Sequence, residues 1–506
     1  MQALDKLRPD TVHGHEAMRI LPVAQQWEGG PLALRAVEGK SLGMSHRFHP
    51  SILREYDIRG VVGDTLGEAD GYALGRSFAT MVRQSGGQRV VVGYDGRLSS
   101  PVLEAALVDG LTASGIDVVR VGLGPTPMLY YAEASAPDVQ GGVQVTGSHN
   151  PGDHNGFKIV LAGLPVHGAA IRRLGDIAAE GDWCRGLGRI ERRDVLEAYV
   201  ERLLEGLAGV DPDHLGRLRI GWDAGNGAAG PVMERLTARL PGEHHLLFSE
   251  VDGRFPNHHP DPTVEANLAD LQALVAAKNL DFGVAFDGDA DRIGVVDAQG
   301  RPIWGDELLA IFAQDVLSRH PGATVIADVK ARQAVYDRIA ALGGNPVMAP
   351  SGHSLIKTVM KETGALLGGE TSAHVFFADD WYGFDDALYA AVRLIATCVR
   401  FETSIAALRD LLPPSVATPE QRFAVPEERK FAAVDEVRAR LEADGCDIVA
   451  IDGVRVKTAD GWWLLRASNT QAALTARAES ATQEGLARLV AQIDRQLGLC
   501  GLSRPD

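Results

Sequence analysis

From residue 49 onward, short apolar runs alternate with longer stretches in which apolar residues recur every three or four positions. The first pattern marks buried strands and the second amphipathic helices, so the chain reads as strand–helix units. Alternation of this kind predicts mostly parallel sheets covered on both faces. Three of the runs end in aspartate: Val90-Val91-Val92-Gly93-Tyr94-Asp95, Leu218-Arg219-Ile220-Gly221-Trp222-Asp223 and Thr324-Val325-Ile326-Ala327-Asp328. Each precedes a helical pattern, which predicts three related α/β domains over 49–198, 199–300 and 301–412. A helix over 385–401 leads into Leu412-Pro413-Pro414, where the character changes. Beyond it, a strand from Arg422, a helix over 428–441, antiparallel strands over 448–465 and a helix over 483–497 predict a smaller α+β domain, 413–506. Residues 1–48 lack sustained periodicity and are expected to be a disordered extension, or an overlong start with Met44 as initiator. The apolar run at 18–24 is too short for a secretory signal.

Composition narrows the partners more than the fold. A formal net charge of −17 argues against nucleic acid, yet leaves room for an anionic substrate where Arg and Lys cluster in one cleft. The four cysteines (Cys184, Cys398, Cys446, Cys500) are scattered, which gives neither a disulfide framework nor a zinc site and fits a reducing cytoplasm. No apolar run approaches a membrane span. The expectation is a soluble cytoplasmic protein, monomeric or weakly oligomeric.

The candidate chemistry begins at Thr146-Gly147-Ser148-His149-Asn150-Pro151, at the end of the apolar run Gly142-Val143-Gln144-Val145. Gly147 is expected to supply a sharp turn and Pro151 to end it, leaving Ser148 on a loop with His149 beside it and Lys158 close by. Without a G-x-S-x-G elbow this is no hydrolase serine, and its cationic neighbours suit one that carries a phosphoryl group. In Asp287-Gly288-Asp289-Ala290-Asp291-Arg292, three alternate carboxylates can converge on one hard cation, magnesium before calcium. An EF-hand is excluded, because Arg292 and Ala298 stand where it needs Gly and Glu. Arg292 is placed to touch the same phosphate. Arg54-Glu55-Tyr56-Asp57-Ile58-Arg59-Gly60 reads as a loop bringing Arg59 to an anion. Lys330 ends the third aspartate-marked strand, Pro350-Ser351-Gly352-His353-Ser354 opens a helix, and Glu370, Ser372 and His374 are donors and acceptors of the kind that bind sugar hydroxyls. Arg466-Ala467-Ser468-Asn469-Thr470 suits a phosphate held by a guanidinium and backbone N–H groups. Against these stands Gly225-Asn226-Gly227-Ala228-Ala229-Gly230, which matches the dinucleotide pattern and offers an NAD-dependent oxidoreductase as a competing reading.

In this order the motifs at Tyr56–Gly60, Thr146–Pro151, Asp287–Arg292, Gly369–His374 and Arg466–Thr470 resemble the α-D-phosphohexomutase family, most closely its phosphomannomutase/phosphoglucomutase branch. The resemblance implies four domains around a central cleft and interconversion of hexose 1-phosphate and hexose 6-phosphate, with mannose, glucose or both as the sugar. It implies Ser148 as phosphoserine and magnesium on Asp287, Asp289, Asp291 and a phosphoserine oxygen. A hexose 1,6-bisphosphate is implied as reorienting intermediate and activator. Arg59, His149, Lys158 and Arg292 then serve as the cations around the moving phosphoryl group. Arg59, His149 and Lys158 are also the candidates for taking the hydroxyl proton. Arg466, Ser468, Asn469 and Thr470 hold the phosphate that is not reacting, with Tyr56 and Lys330 lining the cleft. Glu370 and Ser372 hold sugar hydroxyls, with His353 and His374 close by. Ala373 departs from the family's usual Gly, and residues 1–48 have no counterpart. The T-G-S-H-N-P form favours the mannose/glucose branch over a phosphoglucosamine mutase. A non-catalytic sugar-phosphate sensor on the same scaffold is disfavoured by the intact serine and aspartates.

Overall fold

The computed structural model describes residues 45–468 and 472–504. Asn469 and Thr470 lie outside the described residues, as do positions 1–44 of the expected extension. Four sheets follow one another along the chain. The first is mixed and runs, in spatial order, Ile58–Val61, His154–Leu161, Gly141–Val145, Arg89–Tyr94, Asp117–Leu123, Ile190–Arg192. Its centre is parallel, whereas His154–Leu161 turns back antiparallel to Gly141–Val145, so that residues 146–153 form a loop at the sheet's end. The second places Arg219–Asp223 between Glu243–Leu247 and Phe282–Phe286, both parallel to it, and folds Ile293–Asp297 back as a hairpin on Phe282–Phe286. The third sets Thr324–Asp328 parallel to Asn345–Ala349 and to Leu367–Gly369. The fourth is antiparallel throughout and centred on Gly461–Ala467 and Ala473–Ser480, with Glu427–Ala443 and Gln483–Leu499 packed on it.

The alternating pattern therefore yields α/β units with mixed sheets and a last α+β unit. The first three are not insulated from one another. Ala387–Arg400 is buried along all but its last residue, and it joins a continuous core that includes Val119, Trp222, Phe312 and Tyr389. Arg393 on this helix is buried, and its Nη2 and Nη1 meet Asp315 and Asp379 at 2.7 and 2.8 Å. Helices Glu68–Gln84 and Ser100–Ala113 approach so closely that a Cβ on Gly75 would lie 2.3 Å from the Leu107 carbonyl oxygen.

Folding begins earlier than position 49. His46 Nε2 meets Asp70 at 2.8 Å and the Phe48 ring is buried in the first core, so the last residues of the expected extension belong to the first unit. The fourth unit is attached through side chains. Arg455 stacks 3.8 Å from the centre of the Trp462 ring and donates to the carbonyls of Val329 (2.6 Å) and Ala331 (2.8 Å), on either side of Lys330. Among the described residues no helix is long and apolar enough to cross a membrane.

Candidate active site

Loops leaving the carboxyl ends of the central strands converge, and the strand-end aspartates anchor them. Asp95 accepts from the Gly147 N–H (3.1 Å), Thr146 Oγ1 (2.8 Å) and Ser100 Oγ (2.5 Å). Asp223 accepts from the Gly225 N–H (2.8 Å) and faces His258 Nε2 at 3.0 Å. Asp328 accepts from Ser351 Oγ (2.6 Å) and from the N–H and Oγ1 of Thr371 (3.1 and 2.8 Å). Buried carboxylates need such donors, and all but Ser100, which opens the helix Ser100–Ala113, belong to loops at the strand ends.

In the serine loop the turn falls on Ser148 itself, at φ +48°, and not on Gly147 as expected. Gly147 is needed for space: a Cβ there would lie 2.4 Å from the Arg97 guanidinium. Arg97 is buried and donates to four carbonyls of the loop, those of Ser148 (2.7 Å), Asn150 (2.5 Å), Pro151 (2.6 Å) and His154 (2.9 Å). A left-handed non-glycine residue costs about 1–2 kcal/mol, and these bonds hold it in place. Ser148 Oγ donates to Asp287 Oδ2 at 2.7 Å and lies 3.2 Å from His149 Nδ1.

Asp287, Asp289 and Asp291 are fully buried, and one oxygen of each lies within 4.8 Å of the others. Lys158 Nζ donates to Asp289 Oδ2 at 2.7 Å and pairs with Asp291, while Thr126 Oγ1 donates to Asp289 Oδ2 at 2.5 Å. Burial, with Asp289 and Asp291 beside it, pushes the Asp287 carboxyl well above the usual range. Burial acts the same way on Asp291, but Lys158, His374 and Arg292 outweigh it and hold that carboxyl well below. Lys158 stays an ammonium because the three aspartates outweigh its burial. Asp289 Oδ1 is buried and accepts no hydrogen bond among the described residues. Crowded, all-oxygen donors with an orphaned oxygen fit a hard divalent cation. The metal loop reaches the serine only because residue 288 is glycine: a Cβ there would lie 2.5 Å from the Ser148 carbonyl oxygen.

Arg59 joins the serine loop through Nη1, which donates to Asn150 Oδ1 (2.5 Å) and the Gly147 carbonyl (3.3 Å), and it pairs with Asp57 at 2.5 Å. His149 differs from its expected role as a cation. Burial, with Arg292 and Arg59 nearby, pushes its imidazole well below its ordinary value, so the ring is neutral near pH 7.

The third unit closes on the metal loop. His374 Nδ1 bonds Glu370 Oε2 at 2.9 Å and its Nε2 lies 3.3 Å from both Asp291 Oδ1 and Arg292 Nε. Burial opposes its charge, yet Asp291 and Glu370 raise it to about 9, while His374 and Lys330 hold Glu370 down at about 2 against its own burial. Ser372 Oγ sits 3.3 Å from His374 Nδ1, and the His353 ring lies 5.4 Å from that of His374. Tyr56 OH donates to the Ser351 carbonyl (2.8 Å), and the Ser351 N–H donates to Asp452 (3.1 Å). Asp452 in turn holds Arg466 at 2.9 Å, and Lys330 Nζ lies 3.4 Å from Glu420. Lys430 Nζ donates to the Ser468 carbonyl at 2.8 Å.

The structure thus brings Ser148, His149, Arg59, Lys158, Arg292 and the three aspartates into one contact network, joined by Glu370, Ser372 and His374. Sequence reasoning missed Arg97, Thr126, Lys357, Asp385 and Asp452. Of these only Arg97 carried a signal, standing two residues after a strand-end aspartate.

Four family models match in order: phosphoglucomutase/phosphomannomutase α/β/α domain I at residues 50–184, domain II at 197–300, domain III at 304–415, and the C-terminal domain at 420–496. The chain belongs to the phosphoglucomutase/phosphomannomutase family. It is 44% identical over 455 residues to a phosphomannomutase/phosphoglucomutase of Pseudomonas aeruginosa, covering 90% of this chain and 97% of that one. A phosphoglucomutase of Neisseria gonorrhoeae is 43% identical over 447 residues, 87% of this chain and 95% of that one. The crystal structure of a phosphoglucomutase/phosphomannomutase family protein from Burkholderia thailandensis superposes with a TM-score of 0.84 at 43% identity, covering 90% and 98% of the two chains. In this member of the phosphoglucomutase/phosphomannomutase family, the glycines of the dinucleotide-like turn serve close backbone packing. A Cβ on Gly227 would lie 2.9 Å from the Gly288 carbonyl oxygen, and one on Gly230 would lie 1.8 Å from that of Ser249.

Proposed function

We propose that this chain is a cytoplasmic mutase that interconverts the 1- and 6-phosphates of glucose and mannose through a phosphoryl group carried on Ser148. The observation that carries this reading is Ser148 Oγ set 2.7 Å from Asp287, within a buried loop of three carboxylates flanked by Lys158 and Arg292. The P. aeruginosa relative is named for both activities, which supports both sugars. Magnesium fits Asp287, Asp289 and Asp291, and when bound it supplies neutralisation of phosphoryl charge.

The chain's own groups do the rest. Phosphoryl transfer depends on positioning and on charge stabilisation in a water-poor site. Arg97 and the left-handed Ser148 fix the donor oxygen, while Arg59 and Arg292 supply fixed positive charge beside it. A sugar hydroxyl attacks phosphorus, the bond to Ser148 Oγ breaks, and the hydroxyl proton passes to a base in the cleft. Of the three groups considered from sequence, Lys158 keeps its proton and His149 is neutral, so His149 is free to accept. His374, charged at rest, offers a proton from the opposite wall. The resulting hexose 1,6-bisphosphate turns over and returns its other phosphoryl group to Ser148, and free bisphosphate recharges enzyme that has lost it. During each half-reaction Arg466, Ser468, Asn469 and Thr470 hold the idle phosphate, aided by Lys330 and Tyr56. Glu370 and Ser372, with His353 nearby, hold the ring hydroxyls.

The test is a coupled assay for glucose 6-phosphate from glucose 1-phosphate, with magnesium and trace glucose 1,6-bisphosphate, and mannose 1-phosphate run in parallel. Turnover of wild type and its loss in Ser148→Ala are expected. Full activity of Ser148→Ala would remove the serine loop from the reaction, and inactivity of wild type on both sugars would turn the reading to glucosamine phosphate or to a sensor.

A further inference from the structure

On the side of Asp291 that faces the third unit, a second group of ligating atoms meets. One atom from each of Asp291, His374 and Asp385 lies within 4.8 Å of the other two, and all three residues are buried. Two carboxylate oxygens here, Asp291 Oδ1 and Asp385 Oδ2, are buried and accept no well-formed hydrogen bond among the described residues; they face imidazole nitrogens, His374 Nε2 at 3.3 Å and His353 Nδ1 at 3.4 Å. Buried carboxylate oxygens without a well-formed hydrogen bond are uncommon, and two of them beside one imidazole nitrogen make a ligand set for a cation.

The geometry narrows its kind. His374 Nε2 and Asp291 Oδ1 are 3.3 Å apart, the edge of a tetrahedron whose metal bonds are about 2.0 Å. Glu370 Oε2 holds the opposite ring nitrogen at 2.9 Å, the carboxylate–imidazole arrangement that orients a histidine toward a metal. Lys357 Nζ donates to Asp385 Oδ1 at 2.8 Å and fixes that carboxylate, with Oδ2 turned to the cluster 3.4 Å from His353 Nδ1. One imidazole with two carboxylates suits zinc better than magnesium, which prefers oxygen alone. We propose that Asp291, His374 and Asp385 form a second divalent-cation site, selective for zinc and sharing Asp291 with the magnesium loop. Binding displaces any proton on His374 Nε2 and requires Arg292 Nε, now 3.3 Å from that nitrogen, to turn aside. Zinc held here ties up His374 at the cleft wall and slows turnover at saturating magnesium. The site rests on this geometry and not on the proposed reaction.

The experiment titrates zinc chloride into the full-length protein in excess magnesium and measures bound zinc by equilibrium dialysis with metal analysis. Cobalt(II) replaces zinc in a parallel titration to report coordination by its visible absorption. Asp385→Asn removes a ligand from the new site alone, and Asp287→Asn strikes the magnesium loop while leaving the three proposed zinc ligands in place and an amide oxygen for the Asp291 and Arg292 N–H groups. Asp385→Asn combined with Lys357→Met keeps the local charge balanced if the single variant folds poorly. Stoichiometric zinc is expected on wild type and on Asp287→Asn, with affinity at least about tenfold weaker in both Asp385 variants. Zinc lost from Asp287→Asn but kept by the Asp385 variants would place it on the magnesium loop and overturn the proposal. So would the absence of stoichiometric zinc on wild type. Neither readout depends on turnover.

Discussion

Arg97→Ala is the sharpest single probe of how the serine loop is held. The guanidinium is 1% exposed and donates to four loop carbonyls at 2.5 to 2.9 Å. Its Nε also lies 3.3 Å from Asp95. Hydrogen bonds from a charged group are worth about 1.5–3 kcal/mol each, but they share one donor and do not add. Removing one partner of a buried ion pair costs about 3–5 kcal/mol, and that sets the scale of the expected loss. Asp95 keeps its bonds to Thr146, Gly147 and Ser100, so the first sheet should still fold while residues 148–154 lose their grip. Ser148 then relaxes from its left-handed conformation, and a displacement of about 1 Å is enough for roughly a hundredfold loss in kcat. The assays are urea unfolding and steady-state kinetics with hexose phosphate, with phosphoserine content read by mass spectrometry. Arg97→Lys should recover part of the stability but little of kcat, because an ammonium cannot reach four carbonyls in the fork geometry. An Arg97→Ala protein with wild-type unfolding midpoint and wild-type kcat would refute the reasoning outright.

Three further outcomes follow. Lys158→Met removes the ammonium that pairs with both Asp289 and Asp291 in the interior, so it should lower stability by about 3–5 kcal/mol without metal. Magnesium should then raise the thermal midpoint of the variant more than that of wild type, and an equal rise would count against the metal loop. Ala373 has φ +71°, where a side chain is strained, so Ala373→Gly should be neutral or stabilising by up to about 1 kcal/mol in chemical denaturation; a clear loss would mean the alanine methyl is packed usefully. Asp386 is raised to about 7 by burial, with Asp385 adding to it, above an ordinary value near 3.8. Its contribution is therefore full below about pH 4, is lost as pH rises to about 7, and is flat beyond, a window of roughly 4 kcal/mol at most. Asp386→Asn should flatten that fall in unfolding midpoints between pH 4.5 and 8, and an unchanged slope would assign it to other groups.

The hydrophobic pattern carried the element order and the change of character near residue 413, because buried strands and amphipathic helices have different periods. Chemistry concentrated in short motifs was equally legible: Ser148, Lys158 and the three aspartates meet as their spacing and neighbours suggested. What could not be read was which residue bears the strain and which donor relieves it. Gly147 looked like the turn, yet its role is to make room for Arg97, a residue from another loop. His149 looked like a cation, but its charge is decided by burial first and then by Arg292 and Arg59, all of them products of tertiary packing. Asp385, Lys357 and Asp452 have no local pattern at all, since their partners lie on elements distant in sequence.

The contact of Gly288 with the Ser148 carbonyl also divides the cleft mechanically. Backbone meets backbone there with no room for a methyl group, and buried ion pairs lock the same seam, so the first two units cannot slide past each other. The fourth unit is held differently, through contacts that include Arg455 on two carbonyls and on Gln333, Asp452 on a backbone N–H, the Lys330–Glu420 ion pair, and a small patch of Val329, Trp462 and Leu464. One wall is therefore an anvil and the other a jaw. On the proposed mechanism, room for an intermediate to turn is expected on the jaw side, where Arg466 belongs to the more lightly attached unit.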